Sequence, residues 1–147
     1  MADVMKLHVE TGAIEVEVED ERGEKLGAFR FNPADSNILK RYGAVVDFFN
    51  AVVLDEKASA EEQLRQMNQL ADGIAGQFDY LLGYDVSEGL FGQCGPLTVT
   101  KNGDFFFEQV LEGVGGLIEQ VTKKRLDKKL AKIKKAAAAA PDVKARG

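Results

Sequence analysis

In FRFNPADSNILKRY, residues 29–42, a strand-like pattern changes to a helical one. A strand-like run leads into Asn32-Pro33, and short polar residues then precede a strongly helical pattern. Proline has no N–H to donate and its fixed φ suits the first position of a helix, which predicts Asn32 as the N-cap. A later start, with Ser36 as the cap after a proline-initiated turn, is the alternative. Both readings turn the chain from a sheet into a helix, and no base or nucleophile nearby indicates catalysis.

The residues before this junction predict a small antiparallel sheet. MKLHVE (5–10) and AIEVEVE (13–19) alternate apolar and polar side chains, which is the period of two that a half-buried strand requires. Turn-forming residues follow each run, and KLGAFRF (25–31) predicts a further strand. We therefore expect a meander of two or three strands over about residues 5–31, with the glutamates of the middle run in solvent.

Two helical patterns after the junction predict an antiparallel hairpin. Apolar residues recur at spacings of three and four, namely Ile38, Tyr42, Val45, Phe49 and Val52 in the first helix and Leu64, Met67, Ala71, Ile74, Phe78 and Leu81 in the second. Ser59 and Glu62 form a capping-box pattern that opens the second helix, and Gly83 is placed to end it. The short polar break between the helices favours antiparallel packing.

The region after the hairpin is less regular. Asp85 and Glu88 are candidates to cap a short helix that ends at Gly92. Further on, Asn102-Gly103 is a hairpin signal, whereas Asp104 is suited to cap a helix. We favour the helix, because apolar residues continue at helical spacing beyond this point.

The predicted fold class is α+β, with a small N-terminal antiparallel meander, a helical hairpin and further C-terminal helices. We expect one domain over residues 1–122, with helices over about 33–121. Residues 123–147 form a basic, Ala/Lys-rich helix or tail, in which Leu126, Leu130 and Ile133 make a thin apolar stripe among lysines.

Charge is distributed unevenly along the 147 residues. Residues 121–147 hold ten Lys and Arg against two acids, a net +8, whereas the other 120 residues hold nine basic and 22 acidic groups, a net -13. The basic segment has no interleaved aromatic residues and the acidic body repels polyanions, so we expect a protein partner and not nucleic acid. Neither a secretory signal nor a bilayer-spanning run is apparent, so we expect a soluble intracellular protein with no membrane partner.

Residues suited to catalysis are scarce. His8, the one histidine, lies in a predicted strand, and Cys94, the one cysteine, lies in a Gly-Pro loop with no histidine near it. No pair of cysteines or histidines has metal-ligand spacing, and no phosphate-binding glycine motif is present. We predict a protein that is not an enzyme and that uses neither a cofactor nor a metal.

The junction also carries a resemblance. Its FNPxDxN string consists of Phe31, Asn32, Pro33, Asp35 and Asn37, and it is followed by a helix of the ILKRY type, a second helix and an LFG segment at 90–92. This order resembles a family of small tail-module proteins from bacteriophages and prophages of Gram-positive bacteria, regarded as tail assembly chaperones. The resemblance covers about residues 25–120 and leaves out the basic C-terminus.

The resemblance implies binding in the cytoplasm of the bacterial host. Such chaperones coat the long, hydrophobic tape measure protein before tail tube subunits polymerise around it, and a homo-oligomer would let several copies line one client. The tail tube protein is a second candidate partner. The candidate contact residues are Phe49, Val52, Val53, Phe105 and Phe106. The alternatives are a structural tail or tail-completion component of the virion, and a nucleic-acid-binding protein that acts through the basic C-terminus.

Overall fold

A computed structural model describes residues 3–53 and 55–138. The elements in chain order are β1 (Ile14–Glu19), β2 (Lys25–Phe31), α1 (Ile38–Asn50), α2 (Ala60–Leu82), α3 (Ser87–Phe91) and α4 (Phe106–Ala138). The chain is therefore α+β, as the sequence predicts. No helix in the described residues is long and apolar enough to cross a bilayer.

Contacts divide the chain into two units, Met1–Pro96 and Leu97–Gly147. Helix α4 continues without interruption past residue 122, where the sequence suggested the end of a domain. Whether residues 1–122 fold as one domain stays a prediction. The last residues of the expected C-terminal tail, 139–147, lie outside the described residues.

The sheet has two antiparallel strands, β1 and β2. Ile14 pairs with Phe31 and Val18 with Gly27, so the apolar residues of both strands share one face. The other face of β1 carries Glu15, Glu17 and Glu19, which are exposed as predicted. Phe29 and Phe31 are buried, and their ring centroids lie 5.4 Å apart.

The predicted strand at residues 5–10 is wrong. Residues 3–10, here called the N-terminal arm, have no regular secondary structure, and all of their side chains are exposed. An alternating sequence becomes a strand only when a neighbouring strand satisfies its backbone N–H and C=O groups. In this chain Thr11, which directly follows the arm, is held near the end of β2, because the Asn32 side-chain amide donates a hydrogen bond to the Thr11 carbonyl.

Both predicted starts of the first helix are also wrong, because α1 begins at Ile38, with Asn37 as the preceding residue. The Asn32 carboxamide oxygen instead accepts a hydrogen bond from the Ala34 N–H at 3.1 Å, and the Asp35 carboxylate accepts one from the Asn37 N–H at 2.9 Å. Two successive side-chain-stabilised turns therefore replace the first helical turn that the proline pattern suggested.

Helices α1 and α2 form the predicted antiparallel hairpin. Arg41, near the start of α1, donates to the Leu81 carbonyl at the end of α2 at 3.0 Å. Phe48, near the end of α1, packs beside Gly73 in the middle of α2. The termini of α2 follow the sequence signals, since the Ser59 hydroxyl accepts from the Glu62 N–H and Gly83 closes the helix at φ 76°.

The apolar spacing of α2 predicts its buried face over most of the helix. Ile74, Phe78 and Leu81 are fully buried, and Met67 is half-buried. Leu64, which the spacing also placed on that face, is 68% exposed. It lies in the second turn of a 23-residue helix, which extends beyond the 13-residue α1, so the core ends before the pattern does.

Helix α3 packs against β2 through two glycines. A Cβ added to Gly27 would lie 1.6 Å from the Gly89 carbonyl oxygen, and one added to Gly89 would lie 2.1 Å from the Ala28 carbonyl oxygen. No side chain fits at either position, so this contact between two backbones depends on both glycines. Leu90 is buried beside this contact, and Phe91 meets Phe78 edge-on at 5.3 Å between centroids.

The cap of α3 comes from α2 and not from Asp85. One carboxylate oxygen of Asp79 accepts hydrogen bonds from the N–H groups of Val86 and Ser87, both at 2.7 Å. The other oxygen accepts from the Ser87 hydroxyl at 3.0 Å. The negative charge therefore sits at the positive end of the helix.

In the second unit, both interpretations of the Asn102-Gly103 region are partly confirmed. Val99 and Phe105 form an isolated antiparallel bridge around a tight turn in which Gly103 has φ 93°. Helix α4 then begins directly at Phe106, and the Glu108 carboxylate accepts from the Phe105 N–H at 3.2 Å. This segment therefore forms a short turn followed by a helix, and Asp104 lies in the turn.

Candidate interaction surfaces

The FNPxDxN string is a structural junction. Phe31 and Pro33 are fully buried, whereas Asn32 and Asp35 are half-buried and Asn37 is exposed. The Asn32 side chain forms hydrogen bonds with Thr11 and Ala34, and the Asp35 carboxylate accepts one from the Asn37 N–H. This segment supplies the corner between the sheet and the first helix, and none of its contacts indicates a ligand.

Asp35 and Arg41 fasten that corner to the end of α2. The Arg41 guanidinium donates to the Asp35 carboxylate at 3.0 Å and, through Nε, to the Leu81 carbonyl at 3.0 Å. The hydrogen bond from the Asn37 N–H, followed by that from Arg41, lowers the pKa of Asp35 below its ordinary value. Both side chains are mostly buried, so this pair is better shielded from solvent than the other ion pairs described.

The predicted contact residues fall into two classes. Val53 is 88% exposed and lies just after α1. Phe49, Val52 and Phe105 are half-buried, and the Phe105 ring stacks on Phe107 at 6.0 Å. Phe106 is 9% exposed and belongs to the buried apolar residues, so it is not accessible to a partner in this conformation. Partner contact by the other four stays a prediction.

A more continuous surface lies on the last part of α4. From residue 126 to 138 every residue of the helix is exposed. Leu126, Leu130 and Ile133 lie one and two turns apart on one face, and 52–54% of each is exposed. We call these three residues the α4 stripe. The surrounding lysines, which include Lys129 and Lys134, border it with positive charge.

The N-terminal arm is the second exposed apolar segment. Met5 is 93% exposed, Leu7 89% and Val9 70%. Sequence reasoning missed this surface because it assigned the same residues to a strand of the sheet. The alternation in the sequence shows that one side is apolar but carries no information about whether a neighbouring strand covers it.

The one histidine and the one cysteine lie in different segments of the chain. His8 is exposed in the arm, and Cys94 is a half-buried free thiol in the loop after α3. Within residues 3–53 and 55–138, no group of three His, Cys, Asp or Glu side chains is arranged to hold a metal ion. Among the described residues, the α4 stripe and the N-terminal arm each expose at least three apolar side chains of one segment.

Comparison with known protein families, with characterised proteins and with solved structures finds no match to this chain. The likeness to phage tail-module proteins therefore rests on the FNPxDxN string and on the order of the elements that follow it.

Proposed function

We propose that this chain is a bacteriophage or prophage tail assembly chaperone that binds and solubilises the tape measure protein, without catalysis. The observation that carries the proposal is the α4 stripe, because it presents apolar residues at helical spacing on a helix end that is exposed on every side. Residues at i, i+4 and i+7 are the anchors by which one helix docks on another. A long helical client offers many such sites.

The size of the stripe suits reversible binding. Full burial of a Leu or Ile side chain contributes about 1.5–3 kcal/mol, and each residue of the stripe has about half of its surface left to bury. The stripe thus supplies on the order of 3 kcal/mol, well short of the roughly 8 kcal/mol that micromolar affinity requires. Copies that also associate with one another would bind one client firmly together, while each single contact could still be released.

Charge supports the same interpretation. The lysines beside the stripe favour client helices with acidic flanks and disfavour basic ones. The first 120 residues, with their net charge of -13, would give a coated client a strongly negative outer surface. Repulsion between such surfaces opposes aggregation of the coated chains.

The test is co-purification with a tape measure protein from the same genome, using matched substitutions in α4. Leu130→Asp places a charge within the stripe, whereas Ala131→Asp adds the same charge roughly 100° further around the helix. We expect Leu130→Asp to reduce the recovered client at least tenfold and Ala131→Asp to leave it within twofold of wild type. Equal recovery with the two variants would remove the α4 stripe as the client surface.

Two further variants test the contact residues predicted from sequence. If Val53→Asp or Phe105→Asp lowers client recovery as far as Leu130→Asp does, the client surface extends beyond α4. Circular dichroism of each variant separates loss of binding from loss of folding.

The competing proposal, a structural component of the virion, is tested on purified particles by mass spectrometry. We expect a chaperone to be absent from mature particles. Its presence at a fixed copy number would assign the chain to the tail itself.

A further inference from the structure

We propose that the N-terminal arm of one copy adds as a third strand to β1 of a second copy, and that two copies exchange their arms in this way. This inference stands apart from the proposed client, because it depends only on the first unit of the chain. The occupant of the exposed sheet edge is therefore a second molecule of the same protein.

The sheet provides an edge for such an addition. Among the described residues, β2 is the one hydrogen-bonded neighbour of β1, so the outer edge of β1 presents backbone N–H and C=O groups to solvent. The neighbouring strand is less accessible, since the backbone of α3 approaches β2 at Gly27 and Ala28. An open strand edge pairs readily with an extended segment of another chain.

Both faces of the arm are complementary to the corresponding faces of β1. With Leu7 opposite Val16 in an antiparallel pair, Met5 faces Val18 and Val9 faces Ile14, so the three apolar residues extend the apolar face of the sheet. The same register places Lys6 opposite Glu17 on the acidic face. A shift by one residue would put the apolar side chains of the arm among the glutamates, which specifies the register.

The arm of the same chain is held away from this edge. Folding back in the same register would need a hairpin loop over residues 10–13. Instead, the Thr11 carbonyl accepts from the Asn32 amide, and the Ala13 N–H donates to the Thr11 hydroxyl at 3.3 Å. Asn32 directly follows β2, so Thr11, the residue next to the arm, is fixed at the end of the sheet and not beside β1. When two copies exchange their arms, the exposed edge of β1 in each copy becomes paired, and the two pairings are related by symmetry.

The experiment uses full-length chains in which Cys94→Ala removes the native thiol. One chain carries Leu7→Cys and the other Val16→Cys, and the two are distinguished by a mass tag. Directly opposite residues in antiparallel strands have Cα atoms about 4.5–5.5 Å apart, which is within the range for a disulfide. On mild oxidation of the mixture we expect a covalent heterodimer, because residue 7 of each copy lies against residue 16 of the other.

Control chains test whether crosslinking depends on the pairing of residue 7 with residue 16 of the other copy. Either chain alone should yield less than a tenth of the dimer found in the mixture, and Glu17→Cys in place of Val16→Cys should yield several-fold less, because its side chain is on the opposite face. A chain that carries both cysteines and crosslinks as a monomer would show that the arm folds back on its own β1, which overturns the proposal. Equal crosslinking in all mixtures would overturn it as well.

Sedimentation equilibrium provides an independent measurement without cysteines. We expect Leu7→Asp to raise the dimer dissociation constant at least tenfold, whereas Leu64→Asp, at an exposed leucine outside the arm, leaves it unchanged. The proposal is refuted if the wild-type chain is a monomer both at the highest soluble concentration and after 100-fold dilution. The client-binding result with Leu130→Asp is unaffected by either outcome.

Discussion

Helix α2 and the last part of α4 carry the same spacing of apolar side chains, yet only α2 is covered. Ile74, Phe78 and Leu81 are fully buried, whereas the three residues of the α4 stripe are about half exposed. The difference lies in the surroundings, since α2 packs against α1 and α3. An amphipathic pattern predicts a helix with one apolar face but does not say what covers that face. An uncovered face is the stronger indication of binding.

The largest expected effect tests this contrast directly. Phe78→Ala removes a fully buried ring that also meets Phe91, so we expect a loss of about 3–5 kcal/mol in the free energy of unfolding. Leu130→Ala, in the α4 stripe, should change it by less than about 0.5 kcal/mol. Urea denaturation measures both. Similar losses for the two variants would show that the stripe is covered, and the comparison would then fail.

The contact between α3 and β2 lies in the covered part of the molecule, so substitutions there are also expected to destabilise the fold. Gly89→Ala drives a methyl group into the Ala28 carbonyl, and we expect a loss of about 2–3 kcal/mol. Gly43→Ala is the matched control, since a Cβ there meets no atom within 4 Å. Within α1 that change should stabilise the protein by about 0.5–1 kcal/mol. If Gly89→Ala is also stabilising, the close approach of α3 to β2 is refuted.

The cap supplied by Asp79 is expected to contribute less. Asp79→Ala leaves the first N–H groups of α3 without their acceptor, at a cost of about 1–2 kcal/mol. Asp72→Ala changes an exposed residue of the same helix and should cost less than about 0.5 kcal/mol. Thermal unfolding of the two variants measures this difference. Equal melting temperatures for Asp79→Ala and Asp72→Ala would exclude a capping role for Asp79.

The smallest effect is the pH dependence that Asp35 confers. A carboxyl whose pKa is lowered by folding contributes stability that is present above its ordinary pKa of 3.8 and is lost as the pH falls through the folded value. Asp35→Asn should therefore cost about 1 kcal/mol at pH 7 and progressively less below about pH 4. Ser36→Ala, an uncharged change in the same turn, should keep the wild-type pH profile. A constant difference between Asp35→Asn and wild type from pH 7 to pH 2 would contradict the assignment.

Features that depend on neighbouring residues in the chain could be predicted from the sequence. The pairing of Ser59 with Glu62 and the stop at Gly83 are both confirmed, because caps of this kind are made within one turn of the helix end. The alternating glutamates of β1 also placed its polar face correctly. The α1–α2 hairpin followed from two apolar seams joined by a short connection.

Features that depend on distant residues could not be predicted. The cap of α3 comes from Asp79, seven residues before the first N–H that it binds, so the acids adjacent to the helix gave the wrong candidate. The Gly27–Gly89 contact joins segments that are 62 positions apart in the sequence. The start of α1 was misplaced for a different reason, because two local turns closed by the Asn32 and Asp35 side chains precede the helix.

The amino-acid sequence alone specified where apolar and polar side chains alternate, where α2 begins and ends, and that an acidic body is followed by a basic segment. Which apolar faces are covered depends on the packing of the folded chain: β2 and α2 bury apolar side chains, whereas the arm and the α4 stripe leave theirs exposed. The physical reason is that periodicity is a property of each segment, whereas burial requires a second surface at the right distance.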